Sequence, residues 1–287
     1  MTQLRFLAAV LVLALTFVAP ARGAACSAEP PKQSEYLQAI QLGFETTQYL
    51  EKAYQEQGDM VVLIARIGSL ASSKRFQRQL SPYWQYTHAG LVFRDHPSGQ
   101  WSVVHLLNTC GGQSAIFEQG LMRFSLDKPD VYVNAIVHLK PQLQGALAAV
   151  VIKQNLAQAM FQGSQYSSIS YPYSLDYQNS NEYILMLLAA AMAPESNQPN
   201  NRQQSMGYFL NSKLKAAFQP ELVKVGVFES LGSSLGLGPS NATLKDHTRQ
   251  ERRNGKMEFV SVGSLVHWLT QLGQVTHHRE IHLNRKN

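Results

Sequence analysis

The chain of 287 residues is 45% hydrophobic and 15% charged, with a formal net charge of +6 and two cysteines, so it is long and apolar enough to bury a large core. The charge is local: removing Arg5 and Arg22 takes +6 to +4, and residues 245–287 carry eight Lys/Arg against four Asp/Glu, which leaves the body neutral. With no basic stripe interleaved with aromatics, no phosphate-cradling glycine loop, no internal repeat and no paired zinc cysteines, the sequence argues against nucleic-acid binding and implies neither a cofactor nor a metal.

Arg5 precedes an uncharged run from Phe6 to Val18, and Ala19-Pro20-Ala21-Arg22-Gly23-Ala24-Ala25 then supplies small residues. That is the pattern of a secretory signal peptide. Residues 1–25 are therefore expected to be removed, leaving residues 26–287 as one α+β domain in the periplasm. No later window reaches about eighteen uncharged apolar residues, so the mature chain is expected to have no transmembrane anchor. Cys26 and Cys110 are expected to form a disulfide in an oxidising compartment. The competing reading makes Cys110, followed by Gly111-Gly112, a reactive thiol.

From Ser34 the residues Leu37, Ile40, Phe44, Thr47, Leu50 and Tyr54 recur at three and four, which predicts a helix with that stripe buried, ending at Gly58. Residues 60–65 read as a buried strand, and the polar, basic Ser69–Leu80 as a lid or rim. Residues 86–93 and 101–107 read as a β-hairpin around Arg94-Asp95-His96-Pro97-Ser98-Gly99-Gln100. Ile116, Phe117, Leu121 and Phe124 have helical spacing. Residues 131–139 alternate as a strand, and Pro141 opens a helix expected to reach about Met160. A Tyr/Ser/Pro loop over 165–177 leads into an apolar, buried helix through Ile184–Met192, and a further helix is expected from Arg202 to Phe218. The Gly/Ser-rich stretch 226–241 reads as a loop. A strand at 257–262 and a helix at 264–272 suggest a return to the main sheet, and the histidine-rich, basic end reads as a solvated tail. The expected sheet is mostly antiparallel and contains the strands at 60–65, 86–93, 101–107 and 131–139.

Two features carry the chemistry. Counting back from the hairpin turn brings His88 and His105 close together on adjacent strands, where two imidazoles can share a face; the bland alternative is a pair of core histidines satisfied by backbone. Ser180 stands where a polar loop enters the buried helix, and free backbone N–H groups there favour a nucleophile or an oxyanion. The bland alternative is helix capping by Asn179 or Ser180.

In chain order, Gly58-Asp59-Met60-Val61, Thr87-His88-Ala89-Gly90 and Asn179-Ser180-Asn181-Glu182-Tyr183-Ile184 resemble the circularly permuted branch of the NlpC-type papain-like superfamily. Arg94-Asp95-His96-Pro97, Val104-His105-Leu106-Leu107-Asn108, Tyr171-Pro172 and Tyr177-Gln178-Asn179 resemble, more closely, a bacterial exported family of unassigned activity, domain of unknown function 2145. The resemblance implies a papain-like fold with His88 as general base, His105 as its orienting partner and Ser180 at the nucleophile position. Asn179, Asn181 and Asn108 would support the site or its oxyanion. Established permuted enzymes carry cysteine where this chain has Ser180, and a serine cannot be pre-ionised by a neighbouring imidazole as a thiol can. It can still attack if the base takes its proton in the transition state. Two functions follow as expectations: a hydrolase or acyltransferase acting on an amide or ester of a cell-wall peptide or a lipid, and a non-catalytic envelope binding protein that keeps the fold without the chemistry.

Overall fold

The computed structural model describes residues 31–68, 85–109, 113–126, 131–161, 165–225 and 242–283. The expected signal segment, Cys26 and Cys110 with the disulfide expected between them, the expected lid or rim Ser69–Leu80 and the stretch 226–241 lie outside the described residues.

Helix α1 (Gln33–Gln57) ends at Gly58, whose φ of 75° is a left-handed conformation that costs glycine little. Its buried side is Ala39, Leu42, Gly43, Thr46, Leu50 and Ala53. Leu37, Ile40 and Phe44 are exposed, so the buried stripe expected from the sequence is corrected. Gly43 explains the rotation, because a β-carbon there would stand 2.7 Å from the Met122 backbone. The small-residue side of α1 is the side on which a second helix can close.

Strands β1 (Val61–Arg66), β2 (His88–Phe93), β3 (Ser102–Asn108), β4 (Ser114–Gly120), β5 (Val133–Leu139) and β8 (Val275–His282) form a six-stranded sheet in the order β4-β3-β2-β1-β5-β8. Every pairing in it is antiparallel, and helices cover both faces, which makes the fold α+β. Two sequence expectations are corrected here. The helical spacing at 114–124 resolves into β4 and a short helix α2 (Leu121–Ser125), because pairing along the length of β3 overrides a local periodicity. The histidine-rich end is strand β8, whose exposed side chains conceal a backbone paired to β5.

Helix α3 (Pro141–Ala148) gives way to a π-helical turn at Ala149–Lys153, and Asn155 at φ 51° marks a departure from helical backbone, so the expected helix to Met160 is interrupted. Helix α4 (Ser180–Ala191) is buried along its whole length. The single helix expected from Arg202 to Phe218 is two, α5 (Arg202–Asn211) and α6 (Lys213–Ala217), divided at Ser212, whose hydroxyl caps the second. Strand β6 (Glu221–Lys224) pairs with β7 (Lys256–Phe259) in a separate two-stranded sheet. The segment at 257–262 therefore does not rejoin the main sheet. Helix α7 (Arg249–Asn254) leads into β7, and α8 (Val262–Gln271) follows it.

On one face of the large sheet Leu63, Ala89, Leu91, Val104 and Leu106 pack with α4 and α8. On the other, Ile64, Val92, Val103 and Ile136 pack with Leu50 of α1 and with Leu121 and Phe124 of α2. Ile184, Leu185, Met186, Leu187 and Leu188 of α4 are fully buried, each stabilising the fold by about 1.5–3 kcal/mol relative to exposure.

Candidate functional site

Alternation along β2 puts His88, Gly90 and Val92 on the face covered by α1 and α2, and along β3 it puts Val103 and His105 there. The pairing Leu91↔Val104 sets His105 opposite Gly90 and diagonal to His88, and Gly90 has no side chain to fill the gap. The rings meet: His88 Nε2 lies 2.7 Å from His105 Nδ1, with centroids 5.0 Å apart at 69°. Phe124 stands 5.8 Å from the His88 ring and 5.1 Å from the His105 ring. Arg66, the partner of His88 across β1 and β2, holds its guanidinium 5.0 Å from the same phenyl centroid.

Gln119, half-buried on β4, completes the row, its Nε2 lying 2.8 Å from His105 Nε2. The sequence conceals this residue, because Ile116, Phe117, Leu121 and Phe124 recur at helical spacing across what is strand β4 and a short helix. A strand reading would have placed Gln119 opposite Val103, on the His105 face. Burial, then the charges of Arg66 and His105, hold the His88 pKa well below its ordinary 6.5, and burial and Arg66 do the same to His105. Both rings are therefore neutral at physiological pH. Nδ1 of His88 has no hydrogen-bond partner among the described residues, so it is the nitrogen through which the pair can give or take a proton.

At the start of α4 the capping residue is Asn179, whose side-chain oxygen accepts from Glu182 N at 2.7 Å. Ser180, the first helical residue, is 5% exposed, and its hydroxyl has no hydrogen-bond partner among the described residues. Asn181 ties the helix start to both sides of His88: its Oδ1 accepts from Ala89 N at 3.1 Å and its Nδ2 donates to Thr87 O at 3.3 Å. A further bond from Asn181 Nδ2 to Val260 O, 3.3 Å, fixes the amide from behind.

The structure thus unites His88 and His105 and pins the helix bearing Ser180 to the backbone around His88. It does not join Ser180 to His88 by a hydrogen bond. The body of α4 packs on the Ala89 face, whereas the imidazole leans toward Phe124 on the other. The 165–178 segment lies against the helix start, with Asn179 Nδ2 donating to Ser168 O at 3.5 Å. Asn108 stands on the face of β3 opposite His105, and its side-chain oxygen is buried without a partner among the described residues, so it joins neither histidine.

No group of three or more His, Cys, Asp or Glu among the described residues could hold a metal ion. None of the described helices is long and apolar enough to cross a membrane. Residues 53–269 match a bacterial family described as uncharacterized protein conserved in bacteria (DUF2145). No curated protein and no solved structure matches the chain.

Proposed function

The chain belongs to that uncharacterized bacterial family, and from this premise we propose that it is an exported envelope protein built for acyl transfer, a hydrolase or acyltransferase acting on an amide or ester of a cell-wall peptide or a lipid in a papain-like cleft. In this reading His88 is the general base, His105 orients it, and Ser180 supplies the nucleophile. The observation that carries the reading is Asn181. By bonding to Thr87 O and Ala89 N it fixes the helix start against the strand at the histidine, while Asn179 takes the capping task and leaves the Ser180 hydroxyl uncommitted.

In this reading the chemistry begins once the first turn of α4 and the His88 ring have moved together to bring the Ser180 hydroxyl to His88 Nδ1, since the ring lies on the sheet face opposite the body of α4. As oxygen attacks the carbonyl, the hydroxyl proton passes to the imidazole and then to the leaving amine or alcohol. Backbone N–H groups in the first turn of α4 would stabilise the tetrahedral oxyanion. Water reaching the resulting acyl-serine completes hydrolysis; an acceptor amine or alcohol completes transfer.

The burial of Ser180 and its separation from His88 favour a second reading, a non-catalytic envelope binding protein. One experiment separates the two. In Ser180→Cys protein the acyl-transfer reading expects iodoacetamide to alkylate the new thiol faster than in a denatured control, with His88→Ala removing the gain. A thiol of ordinary reactivity sinks that reading and leaves the binding protein.

A further inference from the structure

The row His88, His105, Gln119 shares its protons in only two ways. Each ring is neutral and carries one N–H, and each contact between neighbours holds one proton. With the amide N–H of Gln119 turned to His105 Nε2, as in the structure, His105 must carry its proton on Nδ1 and donate it to His88 Nε2. His88 is then protonated on Nδ1, and its free nitrogen is a donor rather than a base. With the amide turned by 180°, its oxygen accepts from His105 Nε2–H, His105 Nδ1 accepts from His88 Nε2–H, and His88 Nδ1 holds a lone pair. The two arrangements have opposite roles at the one nitrogen that faces away from the row. Gln119 is half-buried and its amide can turn, whereas His88 and His105 are locked between Phe124 and the sheet.

We propose that Gln119 is the positioning residue of the site: the end of its amide presented to His105 decides whether His88 Nδ1 is a base or a donor, and the amide oxygen must face His105 for His88 to act as base. The inference rests on the acyl-transfer reading for its consequence in rate, while the proton position is measurable without it. A substrate that favours the rotated amide would switch the base on as it binds.

The test uses the full chain with ¹⁵N-labelled histidine, in which imidazole nitrogen shifts report the tautomers of His88 and His105 directly. Gln119→Glu, whose carboxylate can only accept, is expected to hold His105 protonated on Nε2 and His88 protonated on Nε2. Gln119→Leu removes the constraint and is expected to give tautomer-averaged shifts, and Gln119→Asn, too short to reach, provides the same release with an amide retained should the leucine variant not fold. In a Ser180→Cys background the Glu variant should alkylate faster than its Gln119 parent, whose amide N–H faces His105, and Gln119→Leu, with both tautomers populated, should fall between the two. Histidine shifts identical in parent, Leu and Asn proteins overturn the inference. If the tautomers move as expected but the thiol is inert in every background, Gln119 keeps its role and the acyl-transfer reading falls.

Discussion

A β-carbon on residue 90 would stand 2.6 Å from Val103 Cγ1 and 3.3 Å from His105 Cβ, so the meeting of the two imidazoles depends on a glycine that itself carries no titratable group. Gly90→Ala is expected to cost about 1–3 kcal/mol as an overpacked core substitution. In ¹⁵N spectra the His88 and His105 signals should move together; a variant with parental stability and unchanged signals would contradict this geometry. At the helix start the assignment of roles makes a second prediction. Asn179→Ala should lose about 1 kcal/mol, the usual value of an N-cap, whereas Ser180→Ala should lose less than about 0.5 kcal/mol in the same denaturant titration, since its hydroxyl caps nothing. Equal losses would return Ser180 to a capping role. The histidine pair was legible in the sequence because strand alternation and a recognisable turn suffice to bring positions 88 and 105 together. Gln119 was not, since its neighbours Ile116, Phe117, Leu121 and Phe124 mimic a helical repeat across what is a strand, a glycine and one short helix.

Between elements, the junction of α1, β1, β5 and α3 is held by polar groups that no pattern of hydrophobic residues announces. Asp59 accepts from Gln144 Nε2 and pairs with His138 Nδ1, each at 2.6 Å, while Tyr49 lies 2.8 Å from His138 Nε2. Gln144 also receives the N–H groups of Met60 and Val61. Burial pushes the Asp59 pKa up, but hydrogen bonds from His138 and Gln144, together with the nearby histidine charges, outweigh it and hold the carboxyl below its ordinary 3.8. A carboxylate depressed in the folded state adds stability that is fully present above its unfolded value and is lost as pH falls through the folded one. Below about pH 4 the parent should therefore lose stability more steeply than Asp59→Asn. Unfolding midpoints at pH 5 and pH 3 check it, and parallel curves would remove Asp59 from the account. Sequence patterns found α4, whose whole length is apolar, and four of the six strands. They misplaced the buried face of α1 because periodicity counts bulky residues and cannot see that Gly43 admits a neighbouring helix. They missed β8 because an edge strand forms ladder bonds whatever its side chains do.

Across the whole molecule, the loop that leads into α4 is tied down from a distance by one buried cation. Arg202 of α5 donates to the carbonyls of Leu175, Ser174 and Tyr177 and to the carboxylate of Glu182 on α4. Ser170 donates to the other oxygen of that carboxylate at 2.7 Å. Glu182 is fully buried, and burial raises its pKa despite Arg202 and Ser170. The pair is thus costly to desolvate, and its worth lies in where it fixes the chain. Arg202→Met leaves Glu182 buried and uncompensated and should lose about 3–5 kcal/mol, whereas adding Glu182→Leu should recover much of the loss, because an apolar pair of similar volume removes both charges. The three carbonyls stay untied in either variant. Hydrogen exchange at residues 165–178 should accordingly accelerate in the single and the double variant alike, while exchange in β1 and β2 follows global stability. If the double variant restored protection of that segment as well as stability, the loop would be held by packing alone, and Arg202 would have no part in tying it to α4.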